Sequence, residues 1–107
     1  MREAEIYRNK ELAGILREQS KTAYIFRYDG NYYKDSSKPA ISLTMPKTQQ
    51  EYTSPYLFPF FYNMLSEGVN KQLQCRQLKI DEEDSFGLLT GTAQFDTIGA
   101  VTVKPIQ

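Results

Sequence analysis

Polar and apolar residues alternate through most of the first 28 residues, a pattern typical of half-buried strands. Ala4 and Ile6 share one face of the first alternating run, and β-branched and aromatic side chains dominate the last. The pattern predicts three strands, at residues 3–8, 12–18 and 22–28.

Short turns connect these predicted strands. Asn9 and Lys10 are predicted to form a tight turn, because Asn tolerates a positive φ, and residues 29–31 are predicted to form another. Gly14 lies inside the second strand, where glycine indicates a bulge or a close backbone approach. Connections this short favour an antiparallel meander.

The segment after the meander is predicted to be mostly irregular. Residues 32–39 are polar and end at Pro39. Residues 40–45 are predicted to form one short strand, which Pro46 ends because proline has no N–H to donate. Residues 47–55 are predicted to be irregular.

Helical spacing dominates the second half of the chain. The most apolar segment is predicted to begin a helix near Pro59, since proline is tolerated in a first helical turn. Its apolar stripe follows the spacing i, i+3, i+4, i+7 and consists of Phe58, Phe61, Tyr62 and Leu65. After an interruption at residues 66–68, residues 70–78 are predicted to form a second helix.

An acidic run precedes the last predicted helix. Residues 81–84 supply an N-cap and first-turn carboxylates, which the helix dipole favours, and the helix is predicted to end at Gly91. Residues 98–103 are predicted to form a last strand that pairs with the early ones. The elements predict an α+β fold with residues 1–107 as one domain. It would hold a small antiparallel, partly barrel-like sheet (N-terminal meander plus C-terminal strand) and two to three short helices in the second half.

Length and charge narrow the classes of protein. A chain of 107 residues suits one domain and is too short for a complete kinase, dehydrogenase or hydrolase core. Its 13 basic and 13 acidic residues balance, unlike those of a protein that coats nucleic acid. The charged first residues do not resemble a signal peptide, and no apolar run is long enough for a membrane span. We therefore expect a cytoplasmic protein without membrane contact.

Composition also disfavours catalysis. The chain has no His, the usual base at neutral pH, and its one Cys, Cys75, is interpreted as structural because no imidazole can activate it. The acidic run lacks the ligand spacing of a calcium loop, and the scattered glycines form no phosphate-binding loop. We expect no catalytic residue, no metal site and no cofactor.

Five aromatic side chains lie within residues 56–62. A small domain buries most of its large side chains, but five aromatics exceed the width of one helix face. Two interpretations stay open: a role in the core alone, or a role in the core together with a partner interface.

Five segments, in order along the chain, carry the motifs of one family. They are residues 1–9 with 12–14, 41–46 (ISLTMP), 57–68 (LFPFFYNMLSEG), 86–89 (FGLL) and 98–101 (IGAV). In these motifs the chain resembles HipA-type proteins, and specifically their first N-terminal subdomain. HipA proteins are Ser/Thr kinase toxins of bacterial toxin–antitoxin systems, and the kinase core that follows the subdomain has no counterpart here.

The resemblance implies a free-standing, HipS-like antitoxin of a tripartite HipB–HipS–HipT system. Such a protein neutralises a HipT-like Ser/Thr kinase toxin by supplying its missing subdomain in trans. A HipB-like helix-turn-helix DNA-binding protein would complete a ternary complex, so that DNA is contacted only indirectly. The alternative is the N-terminal fragment of a full-length HipA kinase, with a structural and partner-docking role.

The resemblance also implies where the kinase binds. The expected contact residues follow the LFPFF motif and are Met64, Ser66, Glu67, Gly68, Val69 and Asn70. Two of them depart from the family pattern: Ser66 replaces a usual proline, and Val69 replaces a frequent aromatic. A simpler interpretation stays open, in which Glu67 and Gly68 only end one helix and begin the next.

Overall fold

The computed structural model describes residues 2–63, 73, 75–77, 79, 81, 84–92 and 101–106. Five strands and short helices make up this part of the chain. In order they are β1 (Arg2–Arg8), β2 (Glu11–Ser20), β3 (Ala23–Tyr28), α1 (Gly30–Lys34), β4 (Glu51–Ser54), α2 (Pro59–Tyr62), α3 (Ser85–Thr92) and β5 (Val101–Ile106). The prediction of a small antiparallel α+β domain is confirmed, although α1 adds a helix to the first half.

The strands form one sheet in the order β4-β3-β2-β1-β5, and all neighbours are antiparallel. The predicted meander is confirmed as β1-β2-β3. The predicted pairing of the last strand with an early one is also confirmed, with Val103 opposite Ile6. The described strand β5 covers residues 101–106, and residues 98–100 of the predicted range 98–103 lie outside the described residues. Among the described strands, β4 and β5 are the two edges.

The β1–β2 turn contains two residues in the left-handed region. Asn9 has φ 51° and Lys10 has φ 68°. Two successive positive φ values suit a two-residue hairpin, because this turn matches the twist of the flanking strands. The predicted turn is therefore confirmed.

Gly14 is required by its surroundings. The β1–β2 register shifts between Ile6 and Tyr7, beside Gly14, which marks a bulge. A Cβ at Gly14 would clash with the Arg27 carbonyl oxygen and would lie 2.8 Å from Cζ of Phe26. Both predicted reasons for this glycine, a bulge and a close backbone approach, are present.

Three predictions between residues 29 and 55 are wrong. The turn at residues 29–31 begins α1, because the Asp29 carboxylate accepts the N–H groups of Asn31 and Tyr32 and caps a helix. Residues 40–45 form turns instead of a strand, since their main chain bonds to a tyrosine hydroxyl and to itself. Residues 51–54, predicted to be irregular, form β4 and pair with β3.

The helical predictions hold where they fall on described residues. Helix α2 begins at Pro59 as predicted. Of its predicted stripe, Phe58 and Phe61 are buried, but Tyr62 is 48% exposed, so the stripe is narrower than predicted. Leu65 lies outside the described residues, as does most of the predicted helix at 70–78, of which residues 73 and 75–77 are helical.

Asp84 caps α3, as the acidic run predicts. Its carboxylate accepts the N–H of Gly87 at 3.0 Å. The helix runs through Gly91, its predicted end, to Thr92. No helix in the described part of the chain is long and apolar enough to cross a bilayer.

The core lies on one face of the sheet. Ala4, Ile6 and Leu16 of β1 and β2 are fully buried on this face. Helices α2 and α3 and the loop after α1 cover them, so that the ring of Phe61 lies 5.9 Å from that of Phe26. A sheet with one covered face is the two-layer arrangement expected of a domain this small.

Candidate partner-binding surface

The predicted contact segment lies outside the described residues. It consists of Met64, Ser66, Glu67, Gly68, Val69 and Asn70. Their role as a partner-binding site therefore stays a prediction. The elements that precede the segment lie within the described residues.

Helix α2 is anchored directly before that segment. Phe61 has no exposed surface and makes edge-on ring contacts with Phe58 at 6.3 Å and Phe60 at 5.3 Å. The N–H of Asn63 donates to the Pro59 carbonyl at 2.9 Å and closes the helix. The main chain is thus held by the core as far as Asn63, one residue before the predicted contacts begin.

The aromatic cluster at residues 56–62 divides between core and surface. Phe58 and Phe61 are buried, whereas Tyr56 is 76% exposed and Tyr62 is 48% exposed. Phenol rings carry both apolar area and a hydroxyl, and such side chains are common in protein interfaces. The cluster therefore contributes to both core and surface, with exposed Tyr56 before α2 and exposed Tyr62 at its last residue.

A loop at residues 35–47, the pinned loop, is held by a tyrosine hydroxyl from the sheet. The Tyr28 hydroxyl accepts the N–H of Ile41 at 3.2 Å and donates to the carbonyl of Met45. Burial raises the pKa of Tyr28 to about 12, since ionisation in the core would be costly. One buried hydroxyl thus fixes the main chain at two points, four residues apart.

Two more tyrosines hold the same loop. The Tyr32 hydroxyl donates to the Pro39 carbonyl at 2.6 Å, and the Tyr52 hydroxyl donates to the Pro46 carbonyl at 2.5 Å. Prolines lack an N–H, so their carbonyls are the main-chain groups left to bond. With Tyr28, these tyrosines fix the pinned loop from β3, α1 and β4.

Lysine side chains complete these contacts. Lys47 donates to the carbonyls of Asp35 and Lys38, and its ammonium lies 5.1 Å from the centre of the Tyr32 ring. Lys38 pairs with Glu11 on β2, and this bond raises the pKa of Lys38. The base of the loop is therefore tied to both α1 and the sheet.

The tip of the pinned loop, residues 42–44, presents an apolar side chain. Leu43 is 100% exposed, while Ile41 and Met45 on either side are buried. Ser42 and Thr44 bond through their hydroxyls at 2.9 Å, and the N–H of Thr44 donates to the Ser42 hydroxyl. We call residues 42–44 the Leu43 tip.

A polar cleft of about 430 Å³ lies at the opposite end of β3. Arg2 occupies it, donating to Glu18 and to both carboxylate oxygens of Asp84, and its guanidinium lies 5.1 Å from the centre of the Phe86 ring. The bonds to Arg2 and Gly87 lower the pKa of Asp84. The bonds of Arg2 join α3 to the sheet across the cleft, which Lys21 and Asp81 also line.

The candidate side chains for chemistry are Cys75 and the carboxylates. Cys75 is buried, as expected of a structural thiol. Within the described ranges, no group of three or more Cys, Asp or Glu side chains is placed to hold a metal ion. The large hydrophobic side chains exposed on the described surface are Leu43, Tyr56, Tyr62, Leu73 and Ile106.

The match with known proteins extends along nearly the whole chain. The family model described as HipA N-terminal domain matches residues 4–104. The chain belongs to the HipA N-terminal domain family. The resemblance inferred from the motifs is thereby confirmed, and it concerns the N-terminal part of HipA and not its kinase domain.

Proteins similar to this member of the HipA N-terminal domain family include a solved structure and a bacterial relative. A solved structure titled "N-terminal domain of HipA toxin" matches with a TM-score of 0.74 and 26% identity, covering 100% of this chain and 94% of that one. An "Uncharacterized protein" of Haemophilus influenzae is 29% identical over 104 residues, which are 97% of this chain and 92% of the relative.

Proposed function

We propose that this protein is an antitoxin that binds and neutralises a HipA-like (HipT) Ser/Thr kinase toxin. It would do so by supplying, in trans, the N-terminal subdomain that this kinase lacks. The observation that carries the proposal is the extent of the family match: it covers residues 4–104 and concerns the HipA N-terminal domain alone.

The length of the Haemophilus influenzae relative supports the proposal that this domain can occur as a protein separate from the kinase. Because the alignment covers 92% of the Haemophilus influenzae protein, that relative consists almost wholly of this domain. The matched structure, by contrast, is titled as the N-terminal domain of a toxin. A domain that occurs both as part of a toxin and nearly alone is suited to complement a toxin from which it is missing.

In the proposed mechanism, this protein inhibits the kinase by binding to it and catalyses no reaction itself. The segment containing Met64, Glu67 and Val69 would contact the nucleotide or substrate cleft of the kinase. Glu67 would pair with a basic residue there, and Val69 would supply apolar contact. Because valine offers less area than an aromatic ring, we expect inhibition to use a wider surface than this segment alone.

We further propose a HipB-like helix-turn-helix protein as the third member of the complex, with DNA contacted only through it. The balanced charge of the chain supports this division, since direct DNA binding needs a basic surface. The complex is proposed to act in the cytoplasm, with the whole of residues 1–107 acting as one domain.

An alternative function is favoured by the toxin match itself. A TM-score of 0.74 over 94% of the HipA N-terminal domain is also what the N-terminal fragment of a full-length HipA kinase would give. Such a fragment would have a structural and partner-docking role. The adjacent coding sequence separates the two: a separate kinase gene supports the antitoxin, and continuous coding into a kinase core supports the fragment.

Growth rescue tests the proposal directly. The neighbouring kinase is expressed in bacteria from an inducible promoter, alone or with this protein, and complexes are purified through a tag on the kinase. We expect the kinase alone to arrest growth and this protein to restore it while co-purifying in stoichiometric amount. Continued arrest, with no co-purification from a soluble extract, would overturn the antitoxin proposal.

A further inference from the structure

The pinned loop is bonded to the rest of the domain through side chains. Among the bonds of the described residues, no main-chain group of residues 36–46 bonds to the main chain of a strand or helix. The attachments are the hydroxyl groups of Tyr28, Tyr32 and Tyr52 and the ion pair of Lys38 with Glu11. Strands are held by ladders of main-chain bonds, so the loop is held in a different way from the sheet beneath it.

The two ends of the pinned loop lie close together. Lys47, its last residue, donates to the carbonyl of Asp35, its first residue, at 2.5 Å and to that of Lys38 at 2.8 Å. A surface loop of about 6–16 residues whose ends adjoin is an Ω-loop. Such a loop can lift away at its base without displacing α1 or β4, the elements on either side of it.

The Leu43 tip and its neighbours hold their own shape. The N–H of Met45 donates to the Ser42 carbonyl at 3.2 Å, and the hydroxyls of Ser42 and Thr44 bond at 2.9 Å. Pro39 and Pro46, whose rings fix φ, bound this part of the chain. Because these restraints are local, they persist when the bonds to the tyrosines break, and the loop moves as one piece.

Lifting of the loop uncovers a small part of the core. Within the loop, Ile41 and Met45 are the buried apolar side chains, at 7% and 1% exposure. Complete unfolding uncovers the whole core cluster, which extends from Ala4 to Val103. Because hydrophobic stabilisation grows with the apolar area buried, lifting the loop costs far less free energy than unfolding the domain.

We propose that the pinned loop is a lid, which opens and closes as one unit while the sheet stays folded. The hydroxyls of Tyr28, Tyr32 and Tyr52 are the latch of this lid. Opening uncovers the parallel rings of Tyr28 and Tyr32, whose centres lie 6.1 Å apart. The lid does not depend on the antitoxin proposal, since it rests on bonds within this chain.

Hydrogen exchange of the full chain tests the lid. The amide of Ile41 reports on the loop, because it donates to the Tyr28 hydroxyl, and that of Leu16, in a central strand, reports on unfolding of the domain. After correction for intrinsic rates, we expect Ile41 to exchange at least about tenfold faster than Leu16. Low concentrations of urea should accelerate Leu16 far more than Ile41, because urea acts in proportion to the surface exposed. Equal rates with equal urea dependence would overturn the lid.

Two variants remove bonds at different ends of the sheet. Tyr52→Phe removes the latch at Pro46 and should speed exchange at Ile41 about fivefold, the effect of losing one hydrogen bond. Arg2→Ala is the matched control, because it removes the bonds to Glu18 and Asp84 at the opposite end of β3. It should speed exchange at Leu16 by a similar factor and leave Ile41 unchanged, since those bonds stay intact when only the lid opens.

The variants also define the results that would contradict the lid. If Arg2→Ala accelerates Ile41 as much as Leu16, the loop opens only when the whole domain unfolds. If Tyr52→Phe leaves Ile41 unchanged, the attachments act separately and the loop is not one unit. Either result leaves the antitoxin proposal intact, and failed growth rescue in turn leaves the lid intact.

Discussion

Arg2 and Asp84, which lie 82 positions apart in the sequence, form a bidentate salt bridge. Nη1 of Arg2 lies 3.0 Å from Oδ2 of Asp84, and Nη2 lies 2.7 Å from Oδ1. Asp84 is also the N-cap of α3. The bond therefore ties the start of β1 to the start of α3, and Glu18 extends it to β2.

Loss of this bond should weaken the domain. We expect Arg2→Ala to lower the free energy of unfolding by about 1 kcal/mol, a modest figure because Arg2 is 44% exposed and solvent screens the pair. Arg17→Ala, which removes the single pair with Glu3 at similar exposure, should cost less and serves as the control. Urea unfolding at neutral pH measures both, and equal losses would contradict the special role of Arg2.

The free energy of unfolding should also decrease at acidic pH, because Asp84 becomes protonated there. Its pKa is lowered in the folded protein, chiefly by the bond from Arg2, so its contribution is complete above the unfolded pKa of about 3.9. That contribution is lost as the pH falls through the lower folded pKa. Asp84→Asn keeps a capping side chain and should show a smaller loss of stability between pH 5 and pH 2 (about the range of carboxylate titration) than the wild type. Parallel pH profiles for the two proteins would count against this account.

Tyr28 should make the domain sensitive to alkali. Its pKa is about 12 in the folded protein and about 10 in an unfolded chain, so its stabilising contribution is present below pH 10 and is lost as the pH rises toward 12. The stability of Tyr28→Phe should decline less steeply above about pH 10 than that of the wild type. At neutral pH the substitution should lower the free energy of unfolding by about 1–3 kcal/mol, because the N–H of Ile41 and the carbonyl of Met45 lose their partner. Denaturant unfolding from pH 7 upward tests both, and an unchanged alkaline slope would show that other tyrosines carry the effect.

Replacement of two glycines should have different effects on stability, because Gly14 lies in a close backbone approach and Gly30 does not. Gly14→Ala should destabilise the domain by about 1–3 kcal/mol, because its Cβ would meet the Arg27 carbonyl and the Phe26 ring. Gly30→Ala is the matched control: no atom lies within 4 Å of its Cβ, so the change should be neutral or slightly stabilising. Thermal unfolding of the two variants compares them, and a tolerated Gly14→Ala would mean that the β2–β3 contact relaxes at little cost.

Neutralisation of the kinase should depend on the predicted contact segment. We expect the double variant Glu67→Arg, Val69→Asp to fold normally and to lose growth rescue, because it reverses one charge and places another in an apolar contact. Gln19→Arg, Thr22→Asp introduces the same two side chains at exposed positions of the β2–β3 hairpin and should rescue fully. Intact rescue by the first variant would remove residues 67 and 69 from the interface.

The correct predictions concern elements that are formed by interactions between residues close together in the sequence. The two-residue turn at Asn9 and Lys10, the helix start at Pro59 and the cap at Asp84 each depend on a side chain or backbone preference within four residues. These features were predictable because nothing distant decides them.

The wrong predictions concern segments whose structure depends on residues distant in the sequence. Residues 40–45 have the alternation of a strand, but Ile41 and Met45 are buried by bonds to Tyr28, more than ten positions earlier. Strand β4 is polar and short, and it exists because β3 pairs with it. The exposure of Leu43 was likewise unpredictable, since the alternation places it on the same face as Ile41 and Met45, which are buried.

The position of β5 constrains the order in which the protein can be completed during synthesis. Strand β1 pairs on one side with β5, and Val101 and Val103 fill the core above it. A nascent chain therefore holds β1 as an unfinished edge until residues 101–106 leave the ribosome, when a contact spanning almost the full length closes the sheet. Translation arrested before residue 101 would leave β1 with an unpaired edge and with Ala4 and Ile6 partly uncovered, a substrate for chaperones and proteases rather than a shorter version of the domain.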